Sequence, residues 1–481
     1  MKQLIISRDH LETRVAVLED GKPAEMYLER PHRQSLVGNV YKGRVENVLP
    51  GMDAAFVDIG LERNGFLSVA EVVAPEARTG RSRKIGDLLK AGRELLVQVT
   101  RDPMGGKGPR LTMEVGVPGR YVVYLPAGRG SGVSRRLDDG ERERLRAISR
   151  EVKPETGGVI VRTAAEGAGK EAIERDLRFL QRVWAGAERR AQAAPAPALV
   201  YAEAELAVRS ARDLLGPDFA AVIVDDEKLR RRLVSYLRAV APEFKDRVEL
   251  YSGETRLFER FGLDEEMEKA LARRVGLPSG GHIVIDHTEA MTVIDVNTGR
   301  YVGRRQLEDT TVKTNLEACR EVVRQLRLRD IGGIIVIDFI DMSAKTNREV
   351  VLAALEAEFT LDRTKTYVME ISPLGLVEMT RQNVTQGLRE IVTAPCPVCR
   401  GQGRVISEES ALIDVERRLE DLLGSSALPV LRVEVHPRVA ARLACGSGEM
   451  LLRVQAETGR RLQVQEAGEE VPLAHVAIVS D

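Results

Sequence analysis

The chain has 481 residues, 30% charged and 43% hydrophobic, with a formal net charge of −1. That length holds several domains with sizeable cores, and the near-neutral charge excludes a uniformly basic nucleic-acid coat, so any such contact must come from local patches. No apolar run reaches membrane-spanning length, the segment before Val15 has no signal-like core, and four cysteines make no disulfide framework, so a cytoplasmic protein is expected.

Residues 4–6, 13–19 and 24–29 read as strands, the last two flanking the hairpin signal Asp20-Gly21. They bury too little to stand alone, which predicts a sheet completed by later sequence. Residues 38–113 carry short strands punctuated by glycine (VGNVYKGRVENVLPGMDAAFVDIGLERNGFLSV), the pattern of a small barrel. Arg78, Arg81, Arg83 and Lys84 read as a solvated loop. Residues 139–151 read as a helix. The strand after it ends in Arg162-Thr163 before a small-residue loop. A guanidinium fork, a hydroxyl and free backbone N–H groups suit a terminal phosphate, although such a pair is more often simply solvated. Residues 173–194 read as a helix with the only tryptophan, Trp184, and Pro195-Ala196-Pro197 as a linker. From Asp218 a strand leads into a helix, with Asp225 and Asp226 as helix-start residues. Residues 263–275 read as an amphipathic helix.

Runs 283–286 and 291–296 flank the break His-Thr-Glu-Ala and read as a hairpin; the apolar run 334–337 reads as a central strand. Alternation puts Asp295 and Asn297 on one side and Ile294 and Val296 on the other, and Asp338 ends the third run. If these strands are neighbours, two carboxylates and an amide oxygen converge, a donor set that suits Mg²⁺. The competing reading is local turn-making by Asp and Asn at strand ends. On the helix 311–329, Val312, Leu316, Cys319, Val323 and Leu326 share one face. Arg320, Arg324 and Arg327 lie on the other, where solvation is a simpler reading than substrate contact. Cys319 and Cys445 read as isolated thiols. Cys396-Pro397-Val398-Cys399 supplies two ligands of a four-ligand zinc site. A redox dithiol, completion by other residues, and completion by a second chain all remain open. A helix at 408–423 and strands within 428–437 and 451–464 then form a small α+β domain.

VIDVNTGR and NLEACREVVRQLRLRDIGGIIVIDFIDM resemble the catalytic core of the bacterial ribonuclease E/G endoribonucleases. The likeness runs over nearly the whole chain, whose length fits the short ribonuclease G type without the long tail of the ribonuclease E kind. It implies a multidomain α/β and α+β architecture. An RNase H-like domain (1–35 and 211–276) is interrupted by an S1 RNA-binding barrel of OB-fold type (36–118) and a 5′ sensor (119–210). A DNase I-like catalytic domain (277–395), a zinc-link (396–403) and a small assembly domain (404–481) follow. The resemblance makes Phe56 and Phe66 exposed base-stacking aromatics, with Arg101, Lys107 and Arg110 as candidate phosphate contacts. It places Val123, Arg162 and Thr163 in a 5′-monophosphate pocket. Lys365 stands where relatives carry a supporting arginine, keeping the charge and losing the fork. It makes Asp295, Asn297 and Asp338 catalytic, with Mg²⁺ on the two aspartates. It has Cys396 and Cys399 share Zn²⁺ with the same pair of a second chain. The RNase H-like part of the family lacks that fold's acidic set, in keeping with Asp225 and Asp226 as helix-start residues. The implied activity is cleavage of single-stranded RNA to 5′-phosphate and 3′-hydroxyl ends, stimulated by a 5′-monophosphate. The implied setting is rRNA processing and mRNA decay, in a homodimer or tetramer. The scattered histidines offer no metal-free alternative, His282 and His287 lying on opposite sides of a strand. Two other readings stand beside this one: a non-catalytic RNA-binding or ribosome-associated scaffold, and a DNA nuclease of the same metal chemistry, since 2′-hydroxyl recognition has no short motif.

Overall fold

The computed structural model describes residues 1–73, 84–103, 107–299, 307–372, 374–382, 387–399, 401–425, 429–446, 452, 455–468 and 470–479. They form two compact units, Met1–Val392 and Thr393–Asp481. The N-terminal strands do join later sequence. One sheet runs Val248–Leu250, Phe219–Val224, Lys2–Arg8, Thr13–Glu19, Lys22–Glu29, and Leu4, Ile5 and Ile6 lie in parallel register with Val222, Ile223 and Val224. The run is apolar at every position because both faces are covered. Leu4, Ile6, Val15 and Val17 pack with the helices Leu206–Leu214 and Glu227–Val240, while Ile5, Ala16, Leu18 and Met26 pack with Leu257, Leu263 and Leu388. Asp20 and Gly21, at φ 49° and 77°, take the left-handed conformation that a two-residue hairpin turn requires.

Val40–Leu49, Ala54–Asp58, Gly65–Ser68, Arg110–Thr112 and Glu94–Arg101 pair in that order, and the last closes on the first. This closed five-stranded barrel is OB-like. Gly43 permits one close crossing, since a Cβ there would sit 2.6 Å from Val57 Cγ1. Arg78, Arg81 and Arg83 lie outside the described residues. Pro195-Ala196-Pro197 does not separate domains: Ala198–Tyr201 pairs with Val40–Leu49 at the barrel's edge. A four-stranded sheet, Gly130–Val133, Gly158–Val161, Val122–Leu125, Val117–Pro118, is backed by the helix Lys170–Ala193 through buried Ile173, Leu177, Leu180, Trp184 and Ala187. The 210/211 division falls inside the Leu206–Leu214 helix, and Val117–Pro118 already belongs with the sheet after it.

The sheet carrying Asp295 runs Arg274–Gly276, His282–His287, Met291–Asn297, Gly333–Asp338, Leu376–Arg381, Thr366–Ile371. The helix Leu307–Arg329 makes the crossover between its two parallel strands, and with Lys345–Phe359 it covers one face through Ala318, Cys319, Val322, Val351 and Leu355. The helix expected over 263–275 stops at Lys269. Arg274–Gly276 is instead drawn into the sheet by antiparallel pairing with the nearby His282–Val284, a strand partner that overrides the helical pattern. The arginine face of the Leu307–Arg329 helix also divides. Arg320 is exposed beside Glu358, whereas Arg327 is buried, with Nη2 2.7 Å from Glu19 and 2.9 Å from Glu25. Arg327 is therefore neither solvated nor placed to meet a substrate.

In the second unit, Ala411, Val415, Leu419 and Leu423 of the helix Glu408–Ser425 pack on Val430–Val435, which pairs with Arg461–Glu466 and Val476–Ile478. Within the stretch 451–464 the strand begins at Arg461. Among the described residues no helix is long and apolar enough to cross a membrane.

Candidate functional site

The parallel register of Met291–Asn297 and Gly333–Asp338 pairs Ile294 with Ile337, both fully buried, and then Asp295 with Asp338, both exposed. The core residues fix the height of the two strands, so the carboxylates stand side by side where the strands leave the core. Asn297 Nδ2 donates to Asp295 Oδ2 at 2.6 Å, on the shared side that strand alternation requires. Partial burial, then Asp295, then Asp341 hold the Asp338 carboxyl above its usual range. Asp341 was missed by sequence reasoning; the signal was the second acid of IDFIDM. Like charges crowded in this way favour a cation. Among the described residues no group of three or more His, Cys, Asp or Glu could hold a metal ion. The donor set fits a hard cation that keeps most of its water, as Mg²⁺ does, and does not fit an enclosed protein cage.

A second group forms where the Gly158–Val161 strand faces the segment before Thr366–Ile371. A cavity of about 1110 Å³ is lined by Arg162, Thr163, Ser134, Arg363 and Lys365 among others. Thr163 Oγ1 and Ser134 Oγ share a hydrogen bond of 2.8 Å. Arg162 Nη2 pairs with Asp213 Oδ1 at 2.7 Å, and its Nη1 donates to the Gly119 carbonyl. Burial of Asp213 opposes its charge, but Arg212 and Arg162 outweigh that and hold it below the usual range. Val123 lies one strand away, opposite Ile160 of the cavity wall. Lys365 is exposed and lines the same cavity; residue spacing gave no sign of this, and only the family likeness had set it with Arg162.

On the barrel, the register aligns Phe56 with Phe66, Phe66 with Arg110, and Arg110 with Arg101, one row across four strands. The rings are half-buried, 6.1 Å apart and edge to face, whereas Val57, Leu67 and Leu111 fill the interior. Arg101, Lys107 and Arg110 are exposed. Two aromatic faces beside cations form a surface able to stack unpaired bases.

Cys396 is exposed and Cys399 half-buried. The backbone N–H groups of Gly403 and Gly401, then the Cys396 thiol, hold Cys399 below the usual thiol range, which favours the metal-binding thiolate. Two such ligands fit half of a tetrahedral zinc site. Cys319 is buried and pushed up to about 12 by desolvation, hence inert. The Cys445 side chain lies outside the described residues.

The model of the Ribonuclease E/G family matches residues 116–384. The chain is 39% identical to Ribonuclease G of Escherichia coli (strain K12) and 37% identical to Ribonuclease G of Haemophilus influenzae, in each case over 96% of both chains. It is 38% identical to Ribonuclease E of Haemophilus influenzae over 92% of this chain and 48% of that one.

Proposed function

The chain belongs to the ribonuclease E/G family, and from that premise we propose that it is an endoribonuclease acting in RNA processing. Its substrate is single-stranded RNA, cut to leave 5′-phosphate and 3′-hydroxyl ends. The observation that carries the reading is the in-register pair Asp295 and Asp338, with Asp338 held above its usual range by its neighbours. Asp295 and Asp338 would hold Mg²⁺, with Asn297 orienting Asp295. The ion, when bound, supplies charge stabilisation at the scissile phosphate and an activated water. The row Phe56, Phe66, Arg110 and Arg101 stacks and grips the unpaired strand, with Lys107 at its edge. Arg162, Thr163 and Lys365 receive a 5′-monophosphate, Arg162 giving up Asp213 for a ligand of higher charge. Cys396 and Cys399 bind Zn²⁺ jointly with a second copy, giving a homodimer.

The test is digestion of a labelled single strand bearing 5′-monophosphate or 5′-hydroxyl, with Mg²⁺ or with EDTA. Cleavage that needs Mg²⁺ and is faster for the monophosphate supports the reading. Cleavage indifferent to EDTA overturns the metal assignment, and equal rates on the two ends overturn the pocket assignment.

A further inference from the structure

The helix Lys170–Ala193 buries one face, and a single acid, Asp176, stands among the apolar residues of that face at 0% exposure. A carboxyl in an apolar stripe is costly unless its oxygens are engaged. Burial lifts the Asp176 carboxyl above its usual range, against the pull of the Tyr121, Val122 and Arg120 backbone N–H groups and of the Arg162 charge. The engagement is narrow: Oδ2 accepts from the N–H of Tyr121 at 2.7 Å and from that of Val122 at 3.1 Å.

Both contacts fall on one turn. The Gly119 N–H donates to the Val122 carbonyl at 2.8 Å and closes residues 119–122. A Cβ on Gly119 would sit 2.5 Å from Asp176 Oδ2, yet the φ of Gly119 is not positive. Glycine is therefore demanded there by the close approach of Asp176 and not by the backbone conformation. The same turn carries Arg162. The Arg162 backbone N–H donates to the Tyr121 carbonyl at 2.8 Å, and its Nη1 donates to the Gly119 carbonyl. Its Nη2 holds Asp213, the contact that an incoming phosphate displaces. The Gly119 contact is then what fixes the guanidinium plane, and a fork donor is selective only while its plane is fixed.

We propose that Asp176 is the positioning residue of the Arg162 cavity: through the turn at residues 119–122 it sets the Arg162 guanidinium for a terminal phosphate. The proposal rests on the reading of that cavity as a 5′-monophosphate pocket. Asp176 is fully buried and touches no substrate itself. Its influence is confined to the part of binding that depends on the 5′ end, and the carboxylates Asp295 and Asp338 lie on another sheet.

The test compares cleavage of 5′-monophosphorylated and 5′-hydroxyl strands by the full chain with Mg²⁺. Asp176→Ala should cut the 5′-hydroxyl strand as wild type does. On the monophosphorylated strand its KM should rise roughly tenfold with kcat unchanged, the scale of one hydrogen bond to a charged group lost from binding. Asp176→Asn keeps an oxygen for both N–H groups and should keep the preference for the monophosphate. Gly119→Ala pushes the turn off the carboxyl and should lose the preference as Asp176→Ala does. The double variant should lose no more than Asp176→Ala alone, because both changes act on one contact. The proposal is overturned if Asp176→Ala keeps the preference, if it loses both strands equally, or if Asp176→Asn loses as much as Asp176→Ala. Should Asp176→Ala not fold, Gly119→Ala decides: an unchanged preference overturns the proposal, and a loss confined to the monophosphorylated strand supports it. If wild type cuts both strands alike, or Arg162→Ala leaves the preference intact, the pocket reading itself fails and the proposal falls with it.

Discussion

Replacing Asp295 by Asn should stop cleavage and, at the same time, stabilise the metal-free fold. Adjacent strands stand about 4.8 Å apart, so the in-register carboxylates of Asp295 and Asp338 are separated by roughly 5 Å. Two unit charges at that spacing repel by about 1 kcal/mol in water and by more when partly buried. Both groups are exposed and salt screens them, so about 1 kcal/mol is the appropriate scale. The sign follows from Asp338, whose carboxyl is raised in the folded chain. Such a group holds its proton more tightly folded than unfolded. Its contribution favours folding at acid pH and becomes a penalty as pH rises through the raised value. An amide at position 295 removes the share of the penalty that comes from Asp295, leaving those of burial and Asp341, and still offers an oxygen to Asn297 Nδ2. By calorimetry in EDTA near neutral pH, Asp295→Asn should therefore melt roughly 2 °C higher. Mg²⁺ should raise the melting temperature of wild type and leave the variant unmoved. On a labelled 5′-monophosphorylated strand the variant should lose cleavage by a factor on the order of 10² to 10³, the scale of a preorganised charge removed from a transition state. A variant that melts several degrees lower in EDTA would mean that the carboxylate serves a turn. A variant that cuts at near-normal rate in low Mg²⁺ would remove Asp295 from the site.

Arg162→Ala or Thr163→Val should slow cleavage of 5′-monophosphorylated RNA and spare 5′-hydroxyl RNA; equal losses on both would reassign these residues to the fold. Phe56→Ala and Phe66→Ala should each weaken single-strand binding by about 1–3 kcal/mol in filter binding while the barrel stays folded, because the rings are half-buried outside its core. Arg327→Ala should destabilise the first unit by about 3–5 kcal/mol in urea titrations, because it leaves Glu25 and Glu19 without their buried partner; a loss under 1 kcal/mol would contradict this. Cys396→Ser should abolish a stoichiometry of one zinc per two chains and, with it, the dimer seen by light scattering. A zinc-free variant that stays dimeric would assign the dimer to other surfaces.

Much of the local structure is written in short-range pattern. The Asp20-Gly21 turn, the strand alternation around Asp295 and Asn297, and the helix Asp139–Glu151 each depend on neighbours within a few residues, so periodicity and turn chemistry suffice to place them. The family likeness added the roles of residues whose spacing alone is weak, such as Arg162-Thr163. Other features were settled only by contacts between distant segments. Asp295 and Asp338 meet because a helical crossover returns the chain in parallel, and the exact pairing is set by buried Ile294 against Ile337. Lys365 reaches the Arg162 cavity from about two hundred residues away. Arg320 and Arg327 lie on the same side of one helix by sequence. The hairpin of Thr13–Glu19 and Lys22–Glu29 buries only Arg327, because the packing of that hairpin against the helix is a tertiary choice. The same holds for Asp176, whose backbone partners at Tyr121 and Val122 no pattern announces: a hydrogen-bond inventory of a buried group is defined only once every neighbour, near and far in the chain, has been placed.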